Sequence, residues 1–174
     1  TLLYVHGNPA GAYQDSEDCV TIADLTERFI RADISFDDAL CAAREKKIVY
    51  APDATMQAVL SDRKGRTLIL EPGIGWREDG GQYSLMTNYS VLAPERTKMF
   101  VVPGDDRYER ASKLLDAYGG RITVANAWPV LRAVRQEGVW ATRVSFVYSA
   151  RDHAVYYVQN NNFSQIERYK FPQL

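Results

Sequence analysis

The sequence predicts an α+β fold in which pairs of helices alternate with antiparallel hairpins. Three observations lead there. Apolar residues recur at helical spacing in four segments, most of them opened by a capping signature. Strand-like runs come in neighbouring pairs joined by short turns. The two kinds of segment are also segregated along the chain: a strand, two helices, three strands, two helices, then two or three strands. A doubly wound sheet would instead alternate them singly. With 174 residues, 46% of them apolar and 25% charged, the chain can bury a core without a disulfide or metal staple. It reads as a single domain over 1–174, with no repeat, linker or low-complexity segment.

Each element has its own warrant. Leu2 to Val5 is a short apolar run that reads as a buried strand, stopped by the breakers His6-Gly7-Asn8-Pro9. Tyr13 to Asp18 is polar and reads as loop. Ile22, Leu25, Phe29 and Ile30 form a helical stripe that Thr21 and Asp24 open in the manner of a capping box. The same signature, Ser35 with Asp38, opens a helix from Phe36 to about Lys46, whose last turn would hold Lys46 and Lys47 against the helix dipole. Met56 to Ser61 and Thr67 to Glu71 flank Asp62-Arg63-Lys64-Gly65, which is a β-hairpin pattern. Pro72 to Gly75 ends that second strand, and a third strand is expected at Tyr83 to Thr87.

Helices return after Pro103. Tyr108, Ala111, Leu114, Leu115 and Tyr118 share one helical stripe, with Asp105 or Asp106 as N-cap and Gly119 just past the end. Thr123 to Gln136 is helical by pattern, but Pro129 lies inside it, so the helix either kinks there or starts near Trp128. Val144, Phe146 and Tyr148 alternate along a strand, Arg151-Asp152-His153 turns it, and Val155 to Gln159 returns. Gln165 to Lys170 adds an edge strand.

Composition removes several function classes. Twenty-one basic and 22 acidic side chains give a net charge of -1 with no basic run, so no nucleic-acid partner is expected. No apolar stretch approaches the ~18 residues that a membrane-spanning helix needs. The two cysteines, Cys19 and Cys41, and the two histidines, His6 and His153, form no metal-ligand spacing, so neither a metal nor another cofactor is expected. Gly73-Ile74-Gly75 lacks the third glycine of a dinucleotide fingerprint, since position 78 is Glu. Cys41, beside Leu40, reads as a buried inert thiol, and Cys19 has no cationic neighbour to activate it. The chain opens at Thr1 without an initiator Met. The expectation is a processed or partial chain, placed in the cytoplasm, with any leader out of view.

Two residues stand out as candidates for chemistry. Asn88 follows the apolar run Leu85-Met86-Thr87, where a carboxamide on a rigid scaffold can donate an N–H to a developing oxyanion. On spacing alone the favoured reading is a strand-ending turn residue. Arg107 follows Asp105 and Asp106 into the first turn of a helix, a place that helix stability would not choose for a cation. An ion pair with either Asp explains it structurally. Asn8 or His6 can close such a pocket from the first strand.

Taken together these residues resemble the choloylglycine hydrolase family of linear amide C–N hydrolases, which includes bile salt hydrolases and penicillin V acylases. The resemblance is carried by Met86-Thr87-Asn88, by Pro103-Gly104-Asp105-Asp106-Arg107-Tyr108-Glu109-Arg110-Ala111, and by Arg135-Gln136-Glu137-Gly138 through the hairpin from Thr142 to Val158. Ala58 to Arg63 with Thr67 to Glu71, and the opening Leu3 to Tyr13, fit the same order. It implies an N-terminal nucleophile hydrolase with an αββα sandwich of antiparallel sheets, in which a cysteine at the mature N-terminus is activated by its own α-amine. It also implies that Asn88 is catalytic, that Arg107 supports the nucleophile, and that an oxyanion residue falls at Asn8 or His6. Tyr89 and Trp140, with Tyr13 and Trp76, are the aromatics expected at an acyl pocket.

The chain resembles only the C-terminal portion of that family, without the hairpin that carries the nucleophilic cysteine. Thr1 as a nucleophile is disfavoured, because the resemblance places it inside the sandwich. The expected function is therefore hydrolysis of a small-molecule amide, completed by an N-terminal portion of the same precursor as a separate chain. The alternative is an inactive binding module that keeps the fold. Without the hairpin, an unpaired edge would favour either that partner or a homo-oligomer.

Overall fold

Helix and antiparallel sheet are both present, divided between two units, Thr1–Asp105 and a second from Asp106 onward. A computed structural model describes residues 1–119 and 122–172.

The first unit is built on a sheet of order β1-β4-β5-β6, formed by β1 (Leu2–Tyr4), β4 (Met56–Ser61), β5 (Thr67–Glu71) and β6 (Gly75–Asp79), all antiparallel. The predicted hairpin is the β4–β5 pair, in register from Ala58↔Leu70 to Ser61↔Thr67. Its turn is held by Asp62, which accepts from the backbone N–H of Lys64 at 2.9 Å and of Arg66 at 3.0 Å. Arg66 pairs in turn with Asp62 at 2.8 Å and Asp37 at 2.6 Å, tying the turn to the second helix.

One face of this sheet carries two helices, α1 (Ile22–Ile30) and α2 (Phe36–Glu45). Ile22, Leu25, Phe36, Leu40, Leu60, Leu68 and Leu70 meet there in a single buried cluster. Each such side chain contributes roughly 1.5–3 kcal/mol relative to exposure. The capping box on α2 forms in both directions between Ser35 and Asp38. On α1, Thr21 accepts from the Asp24 N–H at 3.1 Å.

Several expectations are corrected. Ile30 is 71% exposed and falls outside the buried stripe. Lys46 is the C-cap of α2, its amine donating to the Glu17 carbonyl at 3.1 Å, so Arg44 is the basic residue of the last turn. Lys47 already begins β3 (Lys47–Val49), which pairs in parallel with β2 (Cys19–Thr21) in a small sheet that the sequence reading missed. β1 is an edge strand with Leu2 and Tyr4 exposed, not a buried one, because it pairs on one side only. The third strand of the meander is β6, not Tyr83 to Thr87, which is irregular.

In the second unit, α4 (Arg107–Ala117) and α5 (Val124–Val134) pack on each other, and α5 packs on β7 (Val144–Ser149). β7, β8 (Ala154–Gln159) and β9 (Glu167–Lys170) form an antiparallel sheet in that order. α5 runs through Pro129 from a capping box of Thr123 and Asn126, so its start is not displaced to Trp128. Ser145, Ala154 and Val158 are the buried side of the sheet, while Val144, Phe146 and Tyr148 are more than half exposed.

Candidate functional site

The exit of β1 places two of the expected residues. Asn8 caps the 3-10 turn Pro9–Gly11, its Oδ1 accepting from the Gly11 N–H at 3.1 Å. Its Nδ2 donates to the Tyr50 hydroxyl at 3.0 Å and to the Pro72 carbonyl at 2.9 Å. The carboxamide therefore joins three loops, and both its amide hydrogens have partners. Gly73 makes this possible: at φ +72°, a Cβ there would lie 2.3 Å from Asn8 Oδ1 and 2.1 Å from the Gly11 nitrogen. Tyr50 is buried, and burial pushes its phenol above the ordinary value. His6 is exposed and stacks on Phe100 at 3.7 Å between ring centroids.

Asn88 sits in the irregular segment after β6, and so not at the end of a strand as its apolar approach suggested. That segment is nonetheless firmly held, by side chains instead of a ladder. Gln57 of β4, only 1% exposed, donates from its Nε2 to the carbonyls of Thr87 and of Tyr89, the latter at 3.1 Å. The residues on both sides of Asn88 are thus fixed by one amide. The Thr87 hydroxyl donates to Asn88 Oδ1 at 3.2 Å, which makes that oxygen the accepting end of the carboxamide and the nitrogen its donating end.

Three residues further on, Glu71 closes the segment. This buried carboxylate at the end of β5 accepts from the Ser90 hydroxyl, from the Val91 N–H at 2.8 Å and from the Leu92 N–H at 3.3 Å. Ser90 Oγ accepts from the Ala93 N–H at 2.8 Å, and the Ser90 N–H donates to Thr97 Oγ1 at 2.6 Å in α3 (Pro94–Thr97). Tyr89, expected at a substrate pocket, is 4% exposed, with the Lys98 amine 5.3 Å from its ring centroid.

Arg107 is the first residue of α4, as its sequence position predicted, and lies in the second unit. Asp106 stands at the N-cap without capping; its carboxylate pairs with Arg110 at 2.9 Å. Trp140, also in the second unit, lies on the 3-10 turn Gly138–Trp140 and is 77% exposed. Asn8, His6, Asn88 and Tyr89 thus belong to one unit, and Arg107 and Trp140 to the other.

The thiols are placed differently from expectation. Cys41 is exposed, not buried. It is still a poor nucleophile, because its hydrogen bond with Glu45, then desolvation, push its thiol above the ordinary value. Cys19 faces Gln14 Oε1 at 3.8 Å. The Thr1 amine donates to the Val59 carbonyl at 2.7 Å, and partial burial lowers its pKa. No group of three or more His, Cys, Asp or Glu among the described residues could hold a metal ion. No helix among them is long and apolar enough to cross a membrane.

Sequence reasoning missed Gln57 and Glu71. The one signal for them is a polar side chain within an otherwise apolar hairpin strand, where an unpaired polar group would be costly.

No protein family and no curated protein sequence matches the chain. In fold it is similar to the crystal structure of a cysteine-to-alanine mutant of the conjugated bile acid hydrolase from Clostridium perfringens. The TM-score is 0.66 at 13% identity, over 97% of this chain and 68% of that one. The likeness is one of fold.

Proposed function

We propose that this chain carries the greater part of a hydrolase acting on linear carbon–nitrogen amide bonds, with conjugated bile salts or penicillin V-like acyl amides as the substrate class. The observation that carries the reading is the fold likeness to a conjugated bile acid hydrolase along 97% of the chain. The nucleophile is a cysteine at the N-terminus of a segment outside these 174 residues, and that segment is the partner.

In this reading the sheets stack as an αββα sandwich. The α-amine of the cysteine takes the thiol proton, the thiolate attacks the amide carbonyl, and the leaving amine departs with that proton. Water then hydrolyses the thioester to release the acid and restore the thiol. Asn88 Nδ2 donates to the oxyanion, a neutral donor held in place before the charge develops. Arg107 orients the nucleophile. His6 or Asn8 is the second donor, and for Asn8 that role requires exchanging its bond to Tyr50 or Pro72 for one to substrate. Tyr89 and Trp140 contact the acyl group.

The alternative is a binding module that keeps the fold without chemistry. One experiment separates the two. The chain is mixed with the N-terminal portion of its precursor, and amine release from glycocholate, taurocholate and penicillin V is followed. Release from any of them only when both portions are present supports hydrolysis. Substrate binding without release supports the module.

A further inference from the structure

The first unit contains a recess that Asn8 helps to line and Asn88 does not. It has a volume of about 410 Å³ and lies between the exit of β1 and the turn at Ala51–Ala54. Recesses of that size suit small ligands. Three tyrosines line it: Tyr4, 64% exposed, Tyr13, 44% exposed, and the buried Tyr50. The one ionisable acid among the lining residues is Asp53, and neither Lys nor Arg lines the recess. We propose that this recess binds a small organic ammonium ion.

The chemistry follows from the lining. Aromatic faces attract a cation through the ring quadrupole, and tyrosine is an effective face. Two tyrosines left substantially in water at one recess are not explained by core packing. Asp53 adds a carboxylate without a competing cation among the lining residues, which disfavours anions and favours an ammonium group. Tyr50 supplies direction. Its hydroxyl accepts from the Asn8 N–H at 3.3 Å and from Asn8 Nδ2 at 3.0 Å. Its own hydrogen finds no acceptor among the described residues, so it is left to an oxygen on the ligand. The matching class is therefore an alkylammonium with an oxygen a few bonds from nitrogen.

The test uses the whole chain and choline as the probe, followed through the ring resonances of Tyr4 and Tyr13. Choline is expected to saturate with a Kd of roughly 1 mM, shifting both rings. The neutral isostere 3,3-dimethylbutan-1-ol should bind at least about fivefold more weakly, and acetate should not bind. Asp53→Asn, a near-isosteric change at an exposed position, should weaken choline about fivefold and leave the isostere unchanged. Equal affinity for choline and its isostere, saturation without shifts at Tyr4 and Tyr13, or no saturation by about 50 mM would each overturn the proposal.

Discussion

Replacing Gln57 by methionine keeps the side chain's length and removes its two donors. The Thr87 and Tyr89 carbonyls, both bonded to Gln57 Nε2, would then lie against an apolar group in a buried setting. A buried polar group left without its partner costs about 1–3 kcal/mol. Because one nitrogen serves both carbonyls, the combined loss is about 2–4 kcal/mol and not the full sum of two separate bonds. Against a total stability of roughly 5–15 kcal/mol this is a large fraction. Native-state hydrogen exchange at the amides of β4 and β5 reports it directly, since these strands open only with the core. Their exchange should accelerate by roughly 30- to 1,000-fold, with the amides of the segment around Asn88 losing protection at least as much. An acceleration below about fivefold would refute the reasoning, because the two carbonyls would then have found other donors. Gln57→Glu should be no better than methionine, since a carboxylate would face two carbonyl oxygens.

Three further outcomes are expected. Gly73→Ala should destabilise the chain by about 2–4 kcal/mol in urea unfolding, because a Cβ at φ +72° would collide with Asn8 and the Gly11 backbone. Asp152 is held below the ordinary carboxylate range by hydrogen bonds from the hydroxyls of Ser149 and Tyr156. Its contribution is therefore fully present above the unfolded value, about 3.9, and is lost as pH falls through the lower folded value. The melting-temperature gap between the native chain and Asp152→Asn should accordingly be wider at pH 6 than at pH 2. On the proposed amide-hydrolase reading, Asn88→Ala should lower kcat of the chain mixed with its proposed N-terminal partner by roughly 10²-fold or more while leaving KM near its native value, as loss of an oxyanion donor does.

The parts of the fold legible in sequence are those with local causes. The β4–β5 hairpin announces itself through alternation and a turn that Asp62 closes on its own neighbours. The Ser35–Asp38 box fixes the start of α2 within four residues. β6 was illegible because Gly75-Trp76-Arg77-Glu78-Asp79 is a largely exposed strand at the sheet edge, with no buried face to impose a period. Tyr83 to Thr87 misled for the opposite reason. It is apolar enough to look like a strand, yet the segment it enters is held by Gln57 and Glu71, whose partners lie about 20 to 30 positions away. Contacts of that range leave no periodic trace. Arg107 at the first turn of α4 was legible from the two preceding acids, but the carboxylate of Asp106 serves Arg110 instead of the cap.

The central claim is that amide hydrolysis uses a nucleophile this chain does not supply, and acyl trapping tests it most directly. The chain and the proposed N-terminal partner segment are mixed with penicillin V and quenched in acid, and both are weighed intact by mass spectrometry. The acyl adduct should sit on the first cysteine of the N-terminal portion, leaving the 19.7 kDa chain at its native mass. An adduct on Thr1, Cys19 or Cys41 would contradict the account and place the nucleophile within these 174 residues.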